Sequence, residues 1–235
     1  MRIFLSGYGK MGRMIEELAL EKEMQIVGRA SIECPEVYDS APHADVCMDF
    51  SGVGAQEALC AYIRRTKTPL LSGTTGLTPV EMERLRALSA EIPVIWTANY
   101  STGVAVLKRL LQLCAPVLSD WDKELVEIHH NRKADAPSGT AKQLQELLDP
   151  QGQATVVHGR EGLCGARKSE ELGVFSLRGG TVAGEHTVYF FGEDETLELT
   201  HRAQSRRVFA AGALRAAQAL AEKKAGWYSL EELIF

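Results

Sequence analysis

Near its start the chain reads Arg2-Ile3-Phe4-Leu5-Ser6-Gly7-Tyr8-Gly9-Lys10-Met11-Gly12, in which a short apolar run leads directly into the pattern Gly-x-Gly-x-x-Gly. The three glycines of this pattern serve a tight turn, a close approach of backbone to pyrophosphate, and the packing of helix on strand. The N-terminus of the following helix attracts phosphate. An ordinary strand-to-helix turn also uses glycine, but the position after the first apolar run favours a dinucleotide site. The expected cofactor contacts here are Gly7, Gly9, Lys10, Met11 and Gly12.

The first hundred residues continue as buried runs separated by amphipathic segments. The runs are short enough for buried parallel strands: Arg2–Leu5, Met24–Val27, Asp45–Phe50, Pro69–Leu71 and Pro93–Trp96. One intervening segment begins with Thr78, Pro79 and Glu81, the pattern of a helix capping box. Because parallel strands need crossover helices, this alternation predicts an α/β fold with a Rossmann doubly wound parallel sheet.

After Asn99 the pattern changes. A helical segment over about Gly103–Leu118 precedes the strand Glu124–Ile128, and later runs are separated by glycine-rich turns: Val174–Leu177, His186–Phe191 and Thr196–Thr200. These runs predict a second α+β region with a mixed or largely antiparallel sheet. A last helix over about Val208–Lys223 is expected to end at Gly226.

Composition limits the class of partner and compartment. The 26 basic residues against 31 acidic ones give a net charge of −5, which argues against nucleic acid or an anionic membrane as the main partner. Five scattered cysteines without a Cys-x-x-Cys pair predict reduced thiols in a cytoplasmic protein. The apolar start breaks at Gly7, and no run reaches about 18 apolar residues, so neither secretion nor membrane insertion is expected.

The choice between NADH and NADPH stays open. An acid that binds the ribose is expected roughly 20 residues after the glycine pattern, but the sequence there is Val27-Gly28-Arg29-Ala30-Ser31. Glu33 comes slightly late. Arg29 suits a 2′-phosphate and is equally compatible with a solvated surface charge. NADPH is therefore at least as acceptable as NADH.

Two further segments follow strand ends and suit the same crevice. Phe50-Ser51-Gly52 follows the third run, and Ser72-Gly73-Thr74-Thr75-Gly76 follows the fourth. Ligands of open α/β sheets lie outside the carboxyl ends of the strands. Bare turns would look similar, but three such segments at one edge favour a cofactor crevice.

The densest group of chemically capable residues is Glu127-Ile128-His129-His130-Asn131-Arg132-Lys133-Ala134-Asp135-Ala136-Pro137-Ser138-Gly139-Thr140-Ala141. Pro137 and Ser138 predict a helix start, so the N–H groups of Ser138, Gly139 and Thr140 are expected to point outward unpaired and bind an anion. With Lys133 and two hydroxyls, they would hold a small dianionic substrate. A histidine here suits a general acid.

A metal site formed by His129, His130 and Asp135 is an alternative. It is disfavoured because adjacent strand residues point to opposite faces and because the neighbouring lysine and arginine oppose a cation, so no metal is predicted. The plainest alternative is a basic loop before a capped helix. The density of functional groups argues against it.

Together these motifs resemble the 4-hydroxy-tetrahydrodipicolinate reductase family over almost the whole chain. The most specific part is Glu127 to His130 with Lys133 to Ala141. Further matches are the N-terminal glycine loop, Gly73-Thr74-Thr75-Gly76, Asn99-Tyr100-Ser101, Gly184-Glu185-His186-Thr187 and His201-Arg202-Ala203-Gln204-Ser205-Arg206. Two departures bear on the NADH/NADPH balance, namely a glycine loop one residue tighter than in many members and the missing acid.

The resemblance implies reduction of 4-hydroxy-tetrahydrodipicolinate by NADPH or NADH in the diaminopimelate pathway of lysine biosynthesis, with hydride delivered to ring C4. It implies that His129 is the proton donor and Lys133 the essential cation. The implied carboxylate ligands are His130, Ser138, Gly139 and Thr140. Besides the residues of the glycine loop, the expected cofactor contacts are Arg29, Phe50, Gly73, Thr75, Asn99, Tyr100 and Arg206.

The resemblance also implies two domains joined by two crossings. Residues 1–100 with 207–235 would form the dinucleotide-binding domain. Residues 101–206 would form the substrate domain, whose mixed sheet would also build a homotetramer.

Two other functions stay open. Another NAD(P)-dependent oxidoreductase of an amino or imino acid, such as an amino-acid dehydrogenase, would share the architecture. A dinucleotide-sensing regulatory protein would share the fold, but it would have little use for His129, Lys133 and an anion-binding helix start together.

Overall fold

The computed structural model describes residues 1–31 and 33–235, which divide into two compact units. Unit 1 comprises Met1–Thr102 and Arg207–Phe235, and unit 2 comprises Gly103–Arg206. Each unit has its own cluster of buried apolar side chains. Among the described residues, no helix has the length and apolar character needed to cross a membrane.

The strands, in chain order, are β1 (Arg2–Ser6), β2 (Gln25–Ala30), β3 (Val46–Asp49), β4 (Leu70–Ser72), β5 (Pro93–Trp96), β6 (Asp122–His129), β7 (Thr155–Val157), β8 (Glu171–Arg178), β9 (Glu185–Phe191), β10 (Thr196–Arg202) and β11 (Gly226–Tyr228). The α-helices are α1 (Lys10–Glu21), α2 (Val37–Ser40), α3 (Gln56–Thr66), α4 (Pro79–Leu88), α5 (Thr102–Val117), α6 (Gly139–Leu148), α7 (Arg207–Ala221) and α8 (Leu230–Ile234).

Unit 1 is a parallel sheet in the order β11-β5-β4-β3-β1-β2. The chain passes from β1 to β2 on one side and then crosses to β3 on the other. The strand order therefore reverses between β1 and β3, and such a switch point opens a ligand crevice at the carboxyl ends of the strands. The predicted Rossmann sheet is confirmed.

Local sequence explains the elements of this unit. Ile3, Phe4 and Leu5 in β1 are almost completely buried, as a central parallel strand requires. The capping box predicted for α4 is present: Thr78 N–H donates to Glu81 at 2.7 Å, and Thr78 Oγ1 accepts from Glu81 N–H at 3.3 Å.

The end of unit 1 differs from the sequence prediction. Helix α7 ends at Ala221, and Gly226 begins strand β11 instead of ending the helix. Gly226 N–H donates to the Ile92 carbonyl at 3.2 Å, and Trp227 packs against the buried cluster. The three-residue edge strand thus gains its partners from β5, more than a hundred residues earlier in the sequence, which no local pattern reveals.

Unit 2 is a mixed sheet in the order β10-β9-β6-β8-β7. The central strand β6 pairs antiparallel with β9 and parallel with β8. Leu111 of α5 and Leu144 of α6 pack with Leu125 and Val188 of the sheet in one buried cluster. The predicted α+β fold with a mixed sheet is confirmed, and β6 and its neighbours bring together the side chains described below.

Candidate active site

The glycine turn joins β1 to α1 and is built around two close backbone contacts. Gly7 has φ +93°, and a Cβ there would lie 2.5 Å from the Phe50 carbonyl oxygen. A Cβ on Gly12 would lie 2.2 Å from the Gly7 carbonyl oxygen. At Gly9, the N-cap of α1, a Cβ would meet nothing within 4 Å. The first and third glycines therefore pack the turn, while space stays open over the second, as a bound pyrophosphate requires.

Gly12→Ala is expected to lower the free energy of unfolding by about 1–3 kcal/mol, because the new methyl overlaps backbone that must shift. Gly9→Ala is the matched control, since its methyl enters open space from an extended backbone conformation. Urea unfolding of both variants without cofactor measures the difference. Equal stability of the two variants would contradict the assigned packing.

A cavity of about 320 Å³ lies beside this turn, within unit 1. It is lined by Gly7, Tyr8, Gly9, Arg13, Ser31, Glu33, Tyr38, Phe50, Ser51 and Ala55. Its position at the switch point and the open space over Gly9 fit part of a dinucleotide. Arg13 lies over the Tyr8 ring, 5.4 Å from its centre, and is a cationic residue of the cavity lining.

Arg29 is paired with an acid that the sequence reasoning missed. Its Nε donates to Glu16 Oε1 at 2.8 Å, its Nη2 contacts the same oxygen, and the Tyr8 hydroxyl donates to the other oxygen. The hydrogen bonds from Arg29 and Tyr8 lower the pKa of Glu16 despite burial. The sequence signal that could have identified Glu16 is its position on α1, directly after the apolar residue Ile15. Arg29 itself stays 44% exposed along its side chain.

Asp49, also missed, joins the strand ends that the sequence placed at one edge. Its completely buried carboxylate accepts hydrogen bonds at 2.8 Å from Ser6, Ser72 and Thr74 hydroxyls, and another from Ser51. Ser6 ends β1, Ser51 follows β3, and Ser72 and Thr74 end and follow β4. The prediction that the segments after these three strands lie together at one edge of the sheet is confirmed. The sequence signal that could have identified Asp49 is its position as an acidic residue at the end of the buried run Val46–Met48.

Three of the predicted cofactor contacts pack together at this edge. A Cβ on Gly73 would lie 2.3 Å from the Phe50 ring, and the Phe50 and Tyr100 rings meet edge-on at 5.8 Å. Tyr100 is buried and donates its hydroxyl to the Ser72 carbonyl at 2.7 Å.

The other predicted cofactor contacts lie on nearby segments of unit 1, except one. Lys10 and Met11 are in the first turn of α1, Thr75 is exposed beyond β4, and Asn99 accepts a hydrogen bond from a backbone N–H two residues later, at 2.8 Å. Arg206 ends unit 2, where its Nη2 lies 3.1 Å from His130 Nε2.

In unit 2, His129 lies at the end of β6 and is largely buried. Its Nδ1 is hydrogen-bonded to Glu127 Oε2. Glu127 is completely buried, and although burial opposes its ionisation, the hydrogen bond from Arg178 lowers its pKa. An ionised carboxylate only accepts, so Nδ1 carries the proton of this hydrogen bond.

His186, in the neighbouring strand β9, is the third member of this group. Its ring meets the His129 ring edge-on at 5.2 Å, and its Nε2 lies 3.3 Å from Ser138 Oγ. Burial, followed by the neighbouring His129, lowers the pKa of His186 to about 4. His186 is therefore neutral near pH 7.

The cationic groups lie around the loop that follows β6. Lys133 Nζ donates to the two carboxylate oxygens of Asp135 at 2.8 and 3.0 Å, which lowers the pKa of Asp135. Arg178 donates to the Asp135 carbonyl at 2.7 Å as well as to Glu127. Arg206 lies beside His130, so Lys133, Arg178 and Arg206 place positive charge around this loop, which suits a dianion.

Helix α6 starts where the sequence predicted, with Ser138 as N-cap and its Oγ accepting from Ala141 N–H at 3.1 Å. The expectation of an outward N–H on Ser138 is wrong: that N–H donates to Glu127 Oε1 at 3.2 Å, because a buried carboxylate must be satisfied from within. A Cβ on Gly139 would meet nothing within 4 Å, which leaves room for a carboxylate at the start of the helix. Thr140 is half-buried.

The cluster is better described as hydrogen-bonded than as a metal centre. Among the described residues, Glu127, His129 and His186 are the only group of three or more His, Cys, Asp or Glu side chains whose possible metal-ligand atoms lie within 4.8 Å of one another. Both oxygens of Glu127 already accept hydrogen bonds, and Lys133 and Arg178 supply positive charge. Such surroundings disfavour a bound cation.

Comparison with known proteins gives one consistent result. Residues 1–100 match the family model "Dihydrodipicolinate reductase, N-terminus", and residues 103–234 match "Dihydrodipicolinate reductase, C-terminus". A 4-hydroxy-tetrahydrodipicolinate reductase of Exiguobacterium sp. is 40% identical over 99% of this chain and 95% of its own. One of Staphylococcus saprophyticus is 40% identical over 99% and 100%.

A solved structure, "Dipicolinate bound Dihydrodipicolinate reductase" from Paenisporosarcina sp. TG-14, superposes with a TM-score of 0.79 at 21% identity. The superposition covers 100% of this chain and 99% of that one, which supports the two-unit fold. The family models together span nearly the whole sequence, and the curated relatives agree with them. The chain therefore belongs to the dihydrodipicolinate reductase family.

Proposed function

We propose that the protein reduces 4-hydroxy-tetrahydrodipicolinate at the group of residues around His129. Membership of the family makes it an NAD(P)H-dependent oxidoreductase of the diaminopimelate pathway of lysine biosynthesis. The observation that carries the assignment of the site is His129, held at Nδ1 by an ionised buried carboxylate and close to Lys133 and the start of α6.

The hydride and the proton of this reaction come from different groups. The C4 hydroxyl of the substrate and one hydrogen of the adjacent ring carbon are lost as water, which leaves a conjugated ring; when bound, the reduced nicotinamide supplies a hydride to C4 of that ring. His129 donates a proton from Nε2 to the neighbouring ring carbon of the resulting enamine. One hydride and one proton are thus gained for each water lost. Because Glu127 keeps Nδ1 protonated, the proton that leaves comes from Nε2.

Lys133 and the start of α6 are assigned to the substrate carboxylates. The ammonium group and the Ser138, Gly139 and Thr140 segment would hold the dianion and the charge that develops on it, which is electrostatic preorganisation. His130, beside Arg206, is assigned to the same dianion. The related solved structure is described as dipicolinate-bound, which supports a small dicarboxylate ligand.

The cofactor would be held by unit 1. The pyrophosphate is assigned to the turn Gly7–Gly12, where space is open over Gly9. Phe50, Gly73 and Tyr100, which pack together at the carboxyl edge, are assigned to the nicotinamide half with Thr75 and Asn99.

We expect Arg29→Ala to lower the ratio of kcat/KM for NADPH to that for NADH by about tenfold. A charge-assisted hydrogen bond contributes about 1.5–3 kcal/mol, and the lower end applies to an exposed group already paired with Glu16. Steady-state kinetics with both cofactors measure the ratio. Arg207→Ala is the control. Arg207 pairs with Glu17 and Glu21, which lie on α1 like Glu16, the partner of Arg29. An unchanged ratio in Arg29→Ala would remove Arg29 from cofactor selection.

We also propose a cytoplasmic homotetramer built through the sheet of unit 2. The half-exposed apolar side chains Leu177 and Phe191 on that sheet support an interface there. Light scattering of the purified protein measures the assembly, and a monomer at assay concentration would contradict it.

The proposed function is tested by generating 4-hydroxy-tetrahydrodipicolinate enzymatically in the cuvette and following nicotinamide absorbance. Substrate-dependent loss of absorbance is expected with at least one of NADH and NADPH. Diaminopimelate and simple amino acids with the oxidised cofactors serve as comparison substrates for an amino-acid dehydrogenase. No loss with either reduced cofactor would overturn the assignment.

A further inference from the structure

We propose that Glu127 is the positioning residue of this reaction: its carboxylate binds the Nδ1–H of His129 and thereby makes Nε2 the end of the ring that delivers the proton. The donor role of His129 in this inference rests on the proposed function. The tautomer and orientation of the ring do not, and they are measured separately below.

The carboxylate of Glu127 is fixed from both sides. Oε2 accepts from His129 Nδ1, while Oε1 accepts from Ser138 N–H at 3.2 Å and from Arg178 Nη2 at 2.8 Å. The side chain is completely buried. Rotation away from His129 would break hydrogen bonds that water cannot replace, so the acceptor is held in one place.

This arrangement follows from the strand period and register. Residues 127 and 129 lie two apart on β6 and therefore share a face of the sheet. In the parallel pair with β8, His129 lies opposite Arg178, which brings the guanidinium to the same end of the sheet. The acid, the histidine and the cation thus meet without any special loop.

The other end of the His129 ring faces a position that has no side chain. A Cβ on Gly184 would lie only 3.2 Å from His129 Nε2. Glycine at this position keeps the delivering nitrogen accessible, while the His186 ring, edge-on at 5.2 Å, limits rotation. The two nitrogens therefore have different tasks: Nδ1 anchors the ring and Nε2 stays available.

The charged groups around His129 support the same assignment of tasks to Nδ1 and Nε2. Burial lowers the pKa of His129 most, Lys133 and Arg178 lower it further, and Glu127 raises it. His186 is neutral because its own pKa is about 4. Of these neighbours Glu127 alone favours the imidazolium, which is the form a proton donor needs.

The test is Glu127→Gln, measured as the pH profile of kcat/KM. The amide turns either its NH₂ toward His129 Nδ1, which favours a ring unprotonated at Nδ1, or its NH₂ toward the Ser138 N–H and Arg178, where it opposes other donors. In both arrangements the negative charge that favours the imidazolium is lost. The pKa of His129 then falls. A proton donor is active below its pKa, so the alkaline limb is expected to move to lower pH. At neutral pH kcat should fall by about 10- to 100-fold, less than the ~10²–10⁴-fold of general acid catalysis itself.

Glu124→Gln is the matched control. Glu124 is on the same strand and pairs with Arg160 and Arg167, but it is not among the groups that shift His129. This variant is expected to keep the wild-type alkaline limb. A loss of activity in Glu127→Gln without movement of the limb would reduce Glu127 to a structural role and overturn the proposal.

A second measurement uses the unaltered protein. Nitrogen NMR of ¹⁵N-histidine-labelled protein, with His129→Ala for assignment, is expected to show neutral His129 protonated at Nδ1. Protonation at Nε2 in the neutral ring would overturn the proposal whether or not Glu127→Gln folds. Because this measurement needs no substrate, its failure is distinct from failure of the proposed function, which is the absence of wild-type turnover.

Discussion

His129→Ala is expected to lower kcat by about 10²–10⁴-fold, the range that general acid catalysis contributes. The ring is anchored at Nδ1 by Glu127, and its Nε2 would lie 3.2 Å from a Cβ on Gly184, nearer than the His186 ring at 3.8 Å. His186 does not replace it, because a pKa of about 4 leaves it neutral at the pH of the assay. Steady-state turnover with saturating cofactor and substrate measures the loss.

His158→Ala is the control for this variant. His158 is an exposed histidine of the same unit, and its Nδ1 lies 3.0 Å from the Val174 carbonyl oxygen, away from the cluster around Glu127. It should keep wild-type turnover. Near-wild-type kcat in a folded His129→Ala protein would disprove the proton-donor assignment.

Lys133→Ala is expected to lower kcat/KM for the dicarboxylate by about 10- to 100-fold, since hydrogen bonds to charged groups contribute about 1.5–3 kcal/mol. In the structure Lys133 Nζ is bound to Asp135, so the ammonium is oriented before a substrate arrives. The KM of the reduced cofactor should change little, because the glycine turn belongs to the other unit.

Lys142→Ala provides the comparison for Lys133. Lys142 is an exposed lysine on α6, one turn beyond its N-terminus. It should retain wild-type kcat/KM for the dicarboxylate. If both lysine variants behaved alike, the loss would reflect net charge and not a specific contact.

The fold was largely predictable because its signals are local. The glycine turn, the buried runs of unit 1 and the capping box at Thr78 depend on residues a few positions apart, and the structure contains each of them. Short edge strands were not predictable. β7 and β11 have three residues each, too few for periodicity, and both exist because a longer neighbour offers hydrogen-bonding partners.

The sequence identified a candidate segment but not the hydrogen bonds and ring contacts that its side chains make with other strands. The segment from Glu127 to Thr140 was identified as one functional group from its density of polar side chains. The partners Arg178 and His186 come from β8 and β9, about fifty residues further along, so only the sheet register places them beside His129. The same reason explains the error at Ser138, whose N–H binds a carboxylate eleven positions earlier.

The roles of two buried acids were missed: Asp49 was assigned none from the sequence, and Glu127 was included in the candidate segment without a role. Asp49 and Glu127 are completely buried and each accepts several hydrogen bonds. Burial of an ionised carboxylate is tolerated only where donors converge, and those donors come from different strands. A sequence shows the acid but not the donors, so such positions look like ordinary strand ends.

The most direct test of the account is to follow the label from nicotinamide deuterated at its transferable position into the product. The account predicts substrate-dependent oxidation of NADPH or NADH, deuterium at ring C4 of the product, and solvent-derived hydrogen at the adjacent carbon. Deuterium elsewhere in the product, or no oxidation with either cofactor, would contradict it.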